Sequence, residues 1–278
     1  MKKNIVWLAS YPKSGNTWTR IFLANYLANL DQPVSVNQIH RFGMGDSMVR
    51  TYRMVNGGKD PDLSNYDDTI RLRHRVLAGI SGNQADVNFV KTHNLYGKAM
   101  GIDLIPPQIT RCAIYIVRNP LDVTLSFGRH FGQSPEEAVK SMADSDHVTS
   151  PGQKSVWQFL GSWSDHVSSW TTKHPFPCLV MRYEDMLSNP EETFGKALDT
   201  IGIPVEKERL KKAIRFSSFE ETVKQEDKHG FKEASKKADR FFAKGKAGQW
   251  REDLSPDLIN KTKRWHRKTM KKFGYLDD

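Results

Sequence analysis

Short apolar runs recur along the chain, each followed by a polar turn and then by helical spacing. Ile5-Val6-Trp7-Leu8-Ala9 is uninterrupted and has the length of a buried strand. Beyond it Ile21, Phe22, Tyr26, Leu27 and Leu30 share one helical face. Three further runs behave alike: Val87–Lys91 before Thr92-His93-Asn94, Ala113–Val117 ending at Arg118, and Cys178–Arg182 before Tyr183-Glu184-Asp185. Pro120 suits the first turn of the helix after the third strand. Strands alternating with helices predict an α/β fold, a single doubly wound parallel sheet flanked by helices. No Pro/Ser-rich linker or repeat interrupts the pattern, so one domain over 1–278 is expected. Gly128–Lys154 and Lys224–Gly248 are polar, read as the least ordered stretches, and have the length of lids or binding loops.

Composition narrows the partners. A formal charge of +10 over 278 residues favours an anionic ligand: a nucleotide, a nucleic acid, an anionic substrate or a membrane surface. The two cysteines, Cys112 and Cys178, lie inside apolar runs and read as buried thiols, not as a disulfide framework. No stretch approaches the ~18 apolar residues of a membrane span, and the N-terminus reads as a strand, so a cytoplasmic protein is expected.

The chemistry concentrates in YPKSGNTW, Tyr11–Trp18, between the first strand and its helix. A turn there aims backbone N–H groups and the positive end of a helix dipole at one point, which makes an anion site. Lys13 adds a cation, and Ser14 and Thr17 add hydroxyl donors. Lys13 precedes Gly15 and no glycine stands before it in the turn, so this looks like a P-loop relative with the lysine moved earlier, and it is neither a Walker loop nor a dinucleotide fingerprint. Lys13, His93, Arg118 and Tyr183 each follow the carboxyl end of a predicted strand. In an open parallel sheet those ends line one ligand-binding crevice.

At these residues the chain resembles sulfotransferases of the cytosolic type, which use 3′-phosphoadenosine 5′-phosphosulfate (PAPS) as donor and leave 3′-phosphoadenosine 5′-phosphate (PAP). YPKSGNTW resembles the family's 5′-phosphosulfate loop, commonly YPKSGTTW. VKTHN at Val90–Asn94 resembles the segment carrying the catalytic histidine, and YIVRNPLDVTLS at Tyr115–Ser126 the segment that binds the 3′-phosphate. GSWSDHVSSW at Gly161–Trp170, RYEDMLSNP at Arg182–Pro190 and FFAKGKAGQW at Phe241–Trp250 continue the match in the family's order.

The resemblance implies sulfonate transfer from PAPS to the hydroxyl of a small-molecule acceptor. His93 is the expected general base, since imidazole titrates near neutrality. Lys13 is expected to stabilise the leaving phosphate, with Lys91 assisting. Ser14, Gly15, Asn16, Thr17 and Trp18 would form the 5′-phosphosulfate loop. Arg118 and Ser126 would hold the 3′-phosphate. Trp18 and Phe219 would stack on adenine, Tyr183 and Ser217 would give polar contacts, and Lys244 and Gly245 would belong to a second phosphate-gripping loop. No metal is expected, because no paired-ligand spacing occurs among the histidines.

Three departures from the family pattern matter. Ala243 stands where an arginine usually precedes the Lys-Gly pair, leaving Arg240, Lys246 or backbone amides to compensate. Asn16 replaces a threonine but can still donate. The short dimer motif of animal members is not evident after Trp250, which leaves monomer or homodimer open. Acceptor-lining loops are expected at Phe42–Arg53, Tyr96–Ile102, Gly128–Lys154 and Ala234–Lys246. Their Met44, Met48, Phe131 and Met142, with neighbouring Met54 and Phe127, suggest an apolar pocket beside Arg129 and His130. A kinase or NTPase would need a Walker lysine and a metal-holding aspartate, whereas Asp122 and Asp185 read as residues of helix starts. Basic Lys261–Lys272 could bind nucleic acid or a membrane surface, but it reads as the solvated face of a terminal helix with Leu254, Leu258 and Trp265 inward. Neither partner is expected.

Overall fold

The computed structural model describes residues 2–234 and 240–276. Its central sheet holds β1 Ile5–Ser10, β2 Met44–Gly45, β3 Asn88–Thr92, β4 Thr110–Val117 and β5 Cys178–Arg182. The order is β2-β3-β1-β4-β5 and every pairing is parallel. All carboxyl ends therefore lie on one edge; Ala9, for instance, pairs with Thr92 on one side and Tyr115 on the other.

The unbroken apolar runs have a direct cause, since both faces of the sheet are covered. Ile5, Trp7 and Ala9 join one core with Ala113, Tyr115 and Val117, while Val6 and Leu8 join a second with Cys112, Ile114 and Ile116. The second face is covered by α1 (Asn16–Ala28), α8 (Pro190–Ile201) and α9 (Lys207–Phe216), through Phe22, Phe194 and Leu210. The first is covered by α3 (Asp67–Ser81), α4 (Pro120–Phe131), α6 (Trp163–Trp170) and α12 (Pro256–Lys272), through Val76, Leu121, Trp163 and Leu258. Each such aliphatic or aromatic side chain contributes roughly 1.5–3 kcal/mol on burial. No described helix is long and apolar enough to cross a membrane.

Several expectations change. Helix α1 stops at Ala28, with Asn29 in the left-handed region at φ 48°, so Leu30 is exposed and does not extend the apolar face. Gly128–Lys154 is largely regular, because α4 runs to Phe131 and α5 spans Pro135–Ala143. Ser134 and Glu137 start α5 with a reciprocal capping box, a signal that the polar composition masked. Phe127 and Met142 are buried core there, and Met54, on α2 (Val49–Val55), is exposed; none of the three lines the cavity above the first loop. The first part of Lys224–Gly248 is helical as well, within α10 (Phe219–His229), and its residues 235–239 lie outside the described set. Trp265 is 42 % exposed while its neighbour His266 is buried, so the inward face of α12 is one residue out of step with the expectation. Cys112 is buried and Cys178 half-buried, both free thiols; burial pushes them up to about 11 and about 12.

Candidate active site

The loop from β1 to α1 sets the site. Lys13 takes φ 68° and Gly15 φ 115°, a left-handed pair that turns the chain sharply into the helix N-terminus. A Cβ on Gly15 would also lie 3.0 Å from the Tyr183 ring, so backbone angle and close approach both require glycine. The Asn16 side-chain amide is taken up by the sheet: it donates to the Leu8 carbonyl at 2.8 Å and ties the helix start back onto β1.

Above this loop opens a cavity of about 660 Å³. Lys13, Gly15, Asn16, Thr17, Trp18, His93, Arg118, Ser126, Tyr183, Ser217, Phe219, Lys244 and Gly245 line it, so four strand ends and the second loop meet there as the sequence implied. Ser14 and Lys91 stand outside the lining. Ser14 is fully buried, and the Lys91 ammonium lies 3.9 Å from the Glu233 carboxylate, which Arg20 holds through two bonds.

The electrostatics favour an anion. Burial, then the charges of Lys91, Arg118 and Arg129, push the Lys13 ammonium down to about 7, and its Nζ sits 3.9 Å over the Phe241 ring. Burial and the cations Lys13 and Lys91 likewise push His130 down to about 4. Arg118 donates to the carbonyls of Lys13 at 3.3 Å and Lys246 at 3.0 Å and lies over the Tyr183 ring at 4.2 Å. Its buried Nε, with the buried Ser14 Oγ and Trp18 Nε1, has no protein partner among the described residues. Unsatisfied donors and crowded cations fit a ligand carrying phosphate groups.

His93 is held in one tautomer. Its Nδ1 lies 2.8 Å from the Ser10 carbonyl, which can only accept, so Nδ1 carries the hydrogen and Nε2 keeps its lone pair. Burial first, and then nearby Lys91, hold the ring well below the usual imidazole range and therefore neutral.

The second loop differs from expectation in detail. Lys244 pairs with Asp253 at 2.6 Å and Arg240 pairs with Asp227, whereas Lys246 lines the cavity. Gly245, at φ 59°, passes so close to Phe219 that a Cβ there would collide with its ring. Asp122 is not a cap of its own helix. It accepts from the amides of Gly248 at 2.8 Å and Trp250 at 3.3 Å and fastens the loop to α4. Sequence spacing gave no sign of this role, because the partner lies far along the chain. Arg129 and His130, expected on an acceptor loop, line the same cavity from α4 with Arg240 and Lys246.

A cationic cavity on a glycine loop at the carboxyl edge of a parallel sheet is the place where an open α/β fold binds an anionic ligand such as a nucleotide. The sulfotransferase domain family matches residues 3–274; the chain belongs to that family and is a PAPS-dependent sulfotransferase. Among curated relatives it is 26 % identical to flavonol 3-sulfotransferase of Flaveria bidentis, covering 93 % of this chain and 79 % of that one. It is 23 % identical to cytosolic sulfotransferase 5 of Arabidopsis thaliana, over 91 % of this chain and 76 % of that one. Its fold is similar to retinol dehydratase complexed with retinol and PAP, with TM-score 0.66, 18 % identity and coverage of 98 % and 82 %. A mouse sulfotransferase complexed with PAP gives 0.63, 20 %, 98 % and 86 %.

Proposed function

We propose that the chain transfers a sulfonate from PAPS to the hydroxyl of a small phenol or alcohol, with His93 as general base. PAPS when bound supplies an activated sulfonate on a phosphate leaving group. His93 Nε2 takes the proton of the acceptor hydroxyl, which needs the neutral, Nδ1-protonated ring. Lys13 meets charge developing on the departing phosphate, with Lys91 behind it, its charge offset by Glu233. Arg118 and Ser126 hold the 3′-phosphate; Trp18 and Phe219 flank the base, with Tyr183 and Ser217 as polar contacts. Ser14 and the amides from Gly15 to Trp18 hold the 5′ end, and Lys244 and Gly245 close the second loop over it.

The observation that carries this reading is the 2.8 Å bond from His93 Nδ1 to the Ser10 carbonyl, which leaves a proton-accepting nitrogen in a cavity shared with Lys13. Relatives named for a flavonol and complexed with retinol support a small hydroxylated acceptor. Phe241 and Phe242, beside His130, give the cavity the apolar wall such an acceptor needs. A cytoplasmic location and a monomer or homodimer belong to the same reading, which includes no nucleic-acid or membrane partner.

A panel of simple phenols, flavonols and apolar alcohols assayed with PAPS tests it. His93→Ala is expected to bind PAP normally and to lose at least ~10²-fold in kcat. Near-normal turnover in that variant would remove His93 from the mechanism.

A further inference from the structure

Behind the cavity lies a carboxylate with almost no exposure. Asp46, just after β2, is 1 % exposed. Its Oδ2 accepts from Arg73 Nη2 at 2.7 Å, Thr92 Oγ1 at 2.8 Å and Asn94 Nδ2 at 3.0 Å. Its Oδ1 accepts from Ser47 Oγ at 2.7 Å, and its own amide donates to the Lys91 carbonyl at 3.1 Å. Thr92 Oγ1 in turn accepts from the Asn94 amide at 3.1 Å. The residues immediately before and after His93 are thus tied to a single oxygen atom.

Stability alone does not explain this arrangement. A buried ion pair loses so much hydration that an apolar replacement is often neutral or stabilising. Asp46 and Arg73 are such a pair, and Arg73 spends its other bonds on the Leu104 carbonyl, away from the site. What the carboxylate uniquely does is gather donors from both sides of His93.

We propose that Asp46 is a positioning residue for His93: by clamping Thr92 and Asn94 it fixes the backbone between them, so that Nδ1 stays on Ser10 and Nε2 faces the acceptor. The clamp has a counterpart on the other side. His166 Nε2 donates to the His93 carbonyl at 3.1 Å, while its Nδ1 accepts from the Tyr115 hydroxyl at 2.9 Å. A base displaced by about 1 Å loses on the order of 10² in rate, which gives the clamp a catalytic purpose. The inference rests on the reading of His93 as the base.

Asp46→Ala would leave Arg73 charged, buried and unpaired, and is expected to compromise folding. Thr92→Val is the sharper variant, because it keeps shape and removes only the hydroxyl. It is expected to fold, to lower kcat by ~10-fold, to leave KM for PAPS within about twofold, and to admit the Nε2–H tautomer of His93. Thr92→Ser should restore both. The tautomer is read from the ¹⁵N shifts of the labelled imidazole and needs no acceptor; kcat is measured with the acceptor that ranks first in the panel above. Wild-type kcat and an unmixed Nδ1–H tautomer in Thr92→Val would overturn the proposal. His93→Ala, assayed alongside, separates two failures. Surviving turnover there removes the base and its positioning residue together. An inactive His93→Ala beside an unperturbed Thr92→Val removes the positioning role alone.

Discussion

Lys13 is charged only with difficulty. The folded protein releases its proton near 7, whereas the unfolded chain holds it to ~10.4. Between those limits the unfolded state binds the extra proton, so the ligand-free fold gains stability as pH rises through that window. Donor binding has the opposite sign, because a phosphate beside Nζ favours the ammonium. At pH 8 PAP binding is expected to take up a proton and to weaken as pH rises further, and Lys13→Met should lose that uptake. Calorimetry in buffers of different ionisation enthalpy reads it directly; equal uptake by the two proteins would assign the proton elsewhere. At this scale the site was legible where the chain is contiguous: Lys13, His93, Arg118 and Tyr183 each follow the carboxyl end of a strand. Asp46 was not legible, since Thr92 and Asn94 are brought to it by the pairing of β2 with β3, and Arg73 reaches it from α3.

Between elements, the fastening of the second loop to α4 is the contact that composition could not reveal. Asp122 accepts two backbone amides from a loop more than a hundred residues away. Hydrogen bonds to a charged group contribute roughly 1.5–3 kcal/mol. Asp122→Ala should therefore release the stretch that carries Lys246, whose carbonyl receives Arg118. We expect PAP affinity to fall by ~10-fold or more, with Asp122→Asn intermediate because one acceptor oxygen remains. Unchanged affinity in isothermal titration would mean that the loop does not grip the donor. The strands followed from apolar runs because both sheet faces are buried. The two-residue β2 left no run to find, and the capping box of α5 was hidden within a polar stretch. Trp265 misled for a related reason: on a helix this rich in lysine and arginine, one aromatic does not define the buried face.

Across the whole molecule, strand ends, helix starts and the late loop after α10 all contribute to one cavity, so occupying it should stabilise the entire fold. A ligand at ~100 times its dissociation constant adds ~2.7 kcal/mol, worth several degrees in Tm for a chain of this size. PAP is expected to raise Tm clearly more than ADP at equal concentration, because only PAP carries the 3′-phosphate that Arg118 and Ser126 would hold. Equal shifts would mean that the 3′-phosphate is not held. Ala243 makes this comparison informative. The usual arginine is missing there, and Lys244 and Arg240 are already paired, so the extra shift measures how far Arg118, Ser126, Lys246 and the loop amides suffice.

The crowding of Lys13 with Lys91, Arg118 and Arg129 bears on how this protein would respond to engineering. In the ligand-free fold those like charges repel and Lys13 is costly to bury, so the patch lowers the stability of the fold. Neutral residues there would relieve the repulsion and raise heat resistance while removing the reason for the cavity. A laboratory selection that rewarded only thermal survival would drift towards a sturdier protein without catalysis.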